Sequence, residues 1–147
     1  MDENTFKSTI LVRPVTIELW GTGTPMREFL WSEEMADACI FLMENIDFKD
    51  ISKYNKEYRC GTITSHPEIR NTHINIGTGT EISTRQLSVL IKEKVGFRGD
   101  IIFDSSRPDG TMRKLTNPSK LHAFGWHHQV EIEEGIEKLY DWYLRQT

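Results

Sequence analysis

The sequence is poor in cysteine, in net basic charge and in long apolar runs, and each shortage excludes a class of function. Two cysteines occur in 147 residues, Cys39 and Cys60, with no Cys-x-x-Cys and no histidine at ligand spacing from either. A disulfide framework and a zinc site are therefore excluded, and two free thiols and no metal are expected. Eighteen Lys and Arg stand against 22 Asp and Glu, for a net charge of -4. No basic field covers the surface, so neither nucleic acid nor an anionic membrane is an expected partner. Any bound anion must be held by a few local groups. No apolar run approaches the roughly 20 residues needed to span a bilayer. The opening "MDENTFKS" is acidic and polar where a signal peptide would be basic and then apolar. A cytoplasmic location is expected. What the chain does have is 37% hydrophobic residues, enough for one globular domain with a core.

Strands alternate with helices along the chain, which points to an α/β class. In "VTIELW", residues 15–20, Val15, Ile17 and Leu19 alternate with Thr16 and Glu18, as in a half-buried strand. Ser32, followed by Glu33 and Glu34, supplies a capping oxygen and two acids for a helix start. Met35, Ala38, Cys39, Leu42 and Met43 then repeat at helical spacing, one inward face of a helix that ends near Asn45. Residues 46–70 are polar without a clear period and read as a long loop or excursion. "HINIGTGTEIS" predicts a short strand, a Gly-rich turn and a capping box of Ser83 with Gln86. Leu87, Leu90 and Ile91 face inward, and Gly96 stops that helix. "DIIFDSS" is a further strand. "NPSKLHAFGW" predicts a short helix with Asn117 as cap, Pro118 at its first position and Gly125 just past its end. The last helix carries Ile132, Ile136, Leu139, Tyr140 and Tyr143 on one stripe, which predicts a packed C-terminus.

Two Gly-Thr-Gly-Thr turns, 21–24 and 77–80, give the sequence an internal echo. Neither is a dinucleotide fingerprint, because the third glycine of GxGxxG is replaced by Met26 and by Ile82. A P-loop would need Gly-Lys-Ser/Thr, which is absent. On spacing alone, each turn reads as a tight strand-to-helix connection.

The order of residues goes further. "WGTGTPMREFLWSEEMADA" resembles the segment that opens the C-terminal part of the GDP-L-fucose synthase family, extended short-chain dehydrogenases/reductases. "HINIGTGTEIS", "SRPDGTMRKL", "SKLHAFGWHH" and "EIEEGIEKLYDWYL" resemble later segments of that family in the same order. The likeness covers residues 15–145 except the excursion at about 46–70, and the first 14 residues stay unassigned. It implies an α/β fold: the C-terminal substrate-binding part (15–147) of an NAD(P)-binding, Rossmann-like enzyme, without its N-terminal dinucleotide-binding half.

The family converts GDP-4-keto-6-deoxy-D-mannose to GDP-L-fucose by epimerising two sugar carbons and reducing the ketone with NADPH. Its cofactor loop and its Ser, Tyr-x-x-x-Lys and acid/base Cys and His lie in the N-terminal part. No such set is found here: Tyr54 leads to Tyr58, Tyr58 to Thr62, Tyr140 to Leu144 and Tyr143 to Thr147. The resemblance thus implies the substrate half without the chemistry, with no catalytic residue. NADP(H) serves the intact enzyme and is not expected on this chain alone. A GDP-sugar is the implied ligand, and a separate or missing cofactor-binding half the implied partner, whose removal would leave an apolar face exposed.

Four residues carry the implied site. Arg27 matches the arginine of the family's Pro-Met-Arg-Glu-Phe segment, and its fork suits two phosphate oxygens at once; the plain alternative is an ion pair with Glu28 or Glu33. Trp20 matches a tryptophan that walls the substrate site, and it stands on the polar register of its strand, whereas Trp126 and Trp142 read as core. Asp109 matches a substrate-contacting acid able to accept from guanine or a ribose hydroxyl. Lys114 matches a lysine near the phosphates, with Arg107 and Arg113 adding charge to the same turn. Pro108-Asp109-Gly110 also reads as an ordinary β-turn. His127 and His128 read as structural or exposed. Two other readings stay open: a related nucleotide-sugar epimerase or dehydratase working on a UDP- or dTDP-sugar, and a non-enzymatic module that kept the fold.

Overall fold

The computed structural model describes residues 15–57 and 71–146. Cys60, the first 14 residues and the latter part of the 46–70 excursion lie outside the described residues.

Strand β1 (Thr16–Trp20) pairs in parallel with β4 (Asp100–Asp104), in register from Thr16 opposite Asp100 to Trp20 opposite Asp104. Parallel neighbours need a crossover, and helix α3 (Thr84–Lys94), entering β4 through Gly96, supplies its last leg. The expected Ser83–Gln86 capping box is present in both directions. Gly96 sits at φ +68°, with Phe97 N–H donating to Lys92 C=O, the left-handed stop its position predicts.

A second sheet has three two-residue strands in the order β3-β2-β5. In it β2 (Met26–Arg27) lies antiparallel to β3 (Ile82–Ser83) and parallel to β5 (Arg113–Lys114). Each Gly-Thr-Gly-Thr turn runs into this sheet, the first into β2 and the second into β3. Residues 73–76 are extended but pair in no ladder, unlike the expected strand. Ile74 and Ile76 pack instead against the core.

That core is built on α1 (Ser32–Asn45) and α4 (Ser119–Ala123): Ala38 and Leu121 are fully buried, and Trp126 is 6% exposed. Leu30, Phe41 and Leu42 surround them. Trp126 Nε1 donates to Asp37 Oδ2 at 2.8 Å, which satisfies a buried donor. Pro118, expected at the first helical position, stands at the N-cap of α4, and Asn117, expected as the cap, lies one residue before it with its Oδ1 accepting from Ser119 N–H.

Three further expectations, on α1 and the segment after it, are corrected. Ser32 is the first helical residue and makes no side-chain cap; Trp31 stands at the cap. The inward stripe of α1 is Ala38, Phe41 and Leu42, with Met35, Cys39 and Met43 exposed. Residues 38–43 are apolar nearly all round, so periodicity could not say which side faces this core. Finally, α2 (Phe48–Glu57) is a helix where a loop is expected. Asp50 Oδ2 accepts the Asp47 N–H at its start, and the Tyr54 ring lies 5.6 Å from that of Phe124. The helical period is there, at Phe48, Ile51 and Tyr54, but the segment is so polar on average that it reads as loop.

α5 (Ile132–Gln146) packs its first half beside α3. Its second half is open: Leu139, Trp142, Tyr143 and Leu144 are all more than half exposed, so the expected packed C-terminus and the core role of Trp142 are not found. The apolar stripe is real, but the described residues leave its second half open.

Between α3 and the β1–β4 pair runs a groove of about 470 Å³, walled by Ile17, Leu19, Leu87, Ile91, Phe97 and Phe103, with Trp20 at its edge. Ile17 and Ile102 are exposed on the strand pair. Two parallel strands are usually covered on both faces, and among the described residues this pair is not.

Candidate functional site

The segments 20–28 and 104–116 run side by side, and this brings the candidate residues near one another. Trp20 pairs with Asp104, Gly21 N–H donates to Asp104 C=O, Met26 N–H donates to Met112 C=O, and Arg27 pairs with Lys114. Two carboxylates stitch the segments at the turns.

Asp109 serves the first turn. Thr22 N–H donates to its Oδ1 at 2.7 Å and the Thr22 hydroxyl to its Oδ2 at 2.8 Å. Since that hydroxyl's proton is spent, the 2.7 Å contact between Thr22 and Thr24 must be donated by Thr24. Gly21, at φ +88°, is required twice over. A Cβ there would lie 2.3 Å from Asp109 Oδ1, and the backbone is left-handed.

Glu28 serves the second turn. Its Oε1 accepts from Gly79 N–H at 2.6 Å, with the Thr78 hydroxyl at 3.3 Å; its Oε2 accepts from Thr116 N–H at 2.8 Å and the Thr116 hydroxyl at 2.7 Å. Burial alone would raise the Glu28 pKa. The donors on Thr116, Gly79 and Thr78 outweigh it and hold the carboxyl below its ordinary 4.5. Sequence reasoning weighed Glu28 only as an ion partner for Arg27. The signal that could have found it is the echo itself, since a turn repeated so closely needs an acceptor for its free N–H in both copies.

Arg27 has neither of the ion pairs weighed for it: Glu28 is engaged by the turn, and Glu33 accepts from Trp31 Nε1. Its own bond is from Nη1 to the Met26 carbonyl at 2.7 Å. Paired residues of adjacent strands project to one face, so Arg27 and Lys114 are neighbouring cations, with no carboxylate partner for either among the described residues. Arg107 and Arg113 differ. Arg107 pairs with Asp104 at 3.4 Å and stacks 5.0 Å over Trp20, while Arg113 pairs with Glu81 at 2.8 Å.

Trp20 is 70% exposed and not core; the apolar register expected to be inward is open as well, with Val15 and Ile17 exposed, so register does not set Trp20 apart. It and Asp109 gather at the first turn, Arg27 and Lys114 at the three-stranded sheet. The recess at Arg27, shared with Thr78, Thr80 and Glu131, holds only about 40 Å³. That is well below the roughly 300 Å³ of a small-molecule pocket, so these residues form one wall and not an enclosure. Arg85 was missed from sequence: it donates to Thr22 C=O at 2.6 Å and lies 4.1 Å over the Phe103 ring, joining α3 to the first turn.

A dinucleotide does not fit the described residues. The turn amides that would meet a pyrophosphate, Thr22 N–H and Gly79 N–H, are already held by Asp109 and Glu28, whose charge would repel it. The histidines form a structural group. His122 and His127 stack at 4.3 Å, and His128 lies 3.4 Å from Glu131. Burial, then His127 and His128, push the His122 pKa below its ordinary 6.5. Among the described residues, no helix is long and apolar enough to cross a membrane, and no cluster of three or more His, Cys, Asp or Glu could hold a metal.

Comparisons with known proteins agree with the resemblance drawn from the five segments. Residues 5–61 match the NAD dependent epimerase/dehydratase family. The chain is 39% identical over 131 residues to GDP-L-fucose synthase 1 of Arabidopsis thaliana, covering 89% of this chain and 34% of that protein. Among solved structures, a GDP-6-OMe-4-keto-L-xylo-heptose reductase from C. jejuni superimposes with a TM-score of 0.76 at 42% identity, over 90% of this chain and 34% of that one. A GDP-mannoheptose C4 reductase from Campylobacter jejuni with NADP bound gives 0.69 at 40% identity, over 88% and 35%. The chain is similar to GDP-L-fucose synthases, shares the Rossmann-like epimerase/dehydratase α/β fold, and spans about a third of the length of the relatives it matches.

Proposed function

We propose that this chain is the substrate-binding part of a GDP-sugar epimerase/reductase of the GDP-L-fucose synthase kind, holding the ligand's pyrophosphate between Arg27 and Lys114. One observation carries the reading: among the described residues these two cations, on β2 and β5, make no ion pair with a carboxylate, while Arg107 and Arg113 of the same segment do. A guanidinium fork meets two phosphate oxygens and an ammonium a third, and such charge-assisted bonds are the strong ones. Trp20, exposed at the edge of the apolar groove, offers a stacking wall for base or sugar. Asp109, with one Thr22 bond on each oxygen, keeps acceptor capacity for a hydroxyl or amino donor of the nucleotide.

Binding and orientation are what these residues supply. When bound, NADPH would supply the hydride; the chain spans about a third of the relatives' length, and the reading assigns the cofactor to the remainder. That remainder is also the partner the apolar groove and the α5 stripe await, so the isolated chain binds its ligand weakly and turns nothing over. An amide NMR titration tests the reading. GDP should shift resonances near Trp20, Arg27, Asp109 and Lys114, UDP should not, and Arg27→Ala should abolish the response. Equal responses to GDP and UDP would favour a different nucleotide-sugar enzyme; no response in a folded sample would leave a module that kept only the fold.

A further inference from the structure

Beside the two unpaired cations stands a carboxylate with four donors on it. Glu28 directly follows Arg27, and Thr116 comes two residues after Lys114; Glu28 Oε2 takes both the N–H and the hydroxyl of Thr116, while Oε1 takes Gly79 N–H and meets the Thr78 hydroxyl. Two-residue strands are too short to hold a register by themselves. Glu28 ties the ends of β2 and β5 to each other and both to the second turn.

The surroundings are built for this group. A Cβ on Gly77 would lie 2.1 Å from Thr116 Oγ1 and 2.5 Å from Glu28 Oε1, so only glycine lets the carboxylate in. The lone pairs of Glu28 are occupied by these N–H and O–H groups, and Arg27 makes its own bond to the Met26 carbonyl, so the two form no ion pair.

We propose that Glu28 is a positioning residue for anion binding: it holds Arg27 and Lys114 side by side so that both reach one pyrophosphate. The proposal rests on the binding role given to those cations above. The depressed pKa of Glu28 agrees with a carboxylate that stays ionised in this place. An amide in its place has one oxygen and sets its NH₂ against one pair of donors, so half the latch is lost without a change of size.

This role and plain charge make opposite predictions. As a negative charge beside Arg27, Glu28 would weaken anion binding, and Glu28→Gln would tighten it. As the latch, Glu28→Gln loosens the pair, and GDP binds about tenfold more weakly. Thr116→Val keeps the carboxylate and removes one donor; it should weaken GDP by about threefold. The experiment is calorimetric titration of the full chain with GDP, for wild type and both variants, with amide spectra to establish folding. Weakening in both variants supports the proposal. Unchanged or tighter binding in folded Glu28→Gln overturns it while leaving the binding reading intact. If Glu28→Gln does not fold, Thr116→Val decides alone by the same criterion. No GDP binding by wild type overturns the binding reading, and the proposal with it.

Discussion

The two Gly-Thr-Gly-Thr turns have the same four residues and share a left-handed third residue, yet Gly21 is left-handed where Gly77 is not, and different parts of the chain close them. In each, the second Thr N–H donates to the first Thr hydroxyl oxygen, at 3.2 Å in one and 3.1 Å in the other. The first is held by Asp109, 87 residues downstream of its Thr22, and the second by Glu28, 51 residues upstream of its Gly79. Local sequence sets the Thr-to-Thr contact; the tertiary fold decides which carboxylate arrives and which N–H it takes, the second residue's in the first turn and the third's in the second. Both turns thereby answer the question a Gly-rich turn raises about phosphate. The anion is already there, and it belongs to the protein.

Substitutions can break this parallel at either side. The largest effect is expected from Gly21→Ala, which meets both a left-handed backbone and Asp109, and should cost about 3 kcal/mol in denaturant unfolding. Gly77→Ala has no such φ but must expel the Glu28–Thr116 latch, at about 2 kcal/mol. Asp109→Asn keeps one acceptor for the two Thr22 donors and should cost about 1.5 kcal/mol. Gly110→Ala separates strain from latching. Its φ is +70° but nothing lies within 4 Å, so only the backbone cost of about 1 kcal/mol should appear.

The finest test uses pH. The folded-state pKa of Glu28 is depressed, so its stabilisation is present above 4.5 and is lost as pH falls through the lower folded value. Glu28→Gln should therefore flatten the acid limb of the stability profile below pH 4.5. His122, also depressed, contributes stability above 6.5 that fades as pH falls below it, and His122→Gln should flatten that higher window alone.

Much of the fold was legible because it rests on local rules. The capping box at Ser83, the stops at Gly96 and Gly125 and the strands at 16–20 and 100–104 each depend on a few adjacent residues. What could not be read depends on partners distant in sequence. Helix α1 is apolar on more than one side, and only the arrival of Leu121 and Trp126 selects Ala38 as its buried residue. The stripe on α5 is as regular as expected, but regularity does not say whether anything covers it. In the site, Trp20 is exposed together with Val15 and Ile17 of the opposite register, so alternation alone did not single it out, and the strand pairing of Arg27 with Lys114 is a long-range contact that local pattern does not show. Glu28 escaped because its work is done on amides 51 and 88 residues away.

The central claim is that Arg27 and Lys114 together hold a pyrophosphate. It is tested most directly by calorimetric titration with GDP and with GMP, which differ by one phosphate, for wild type and for the Arg27→Ala/Lys114→Ala double variant. The account predicts that wild type prefers GDP by about tenfold or more and that the double variant loses the preference. Equal affinity of wild type for the two nucleotides, or a preference that survives in the folded double variant, would contradict it.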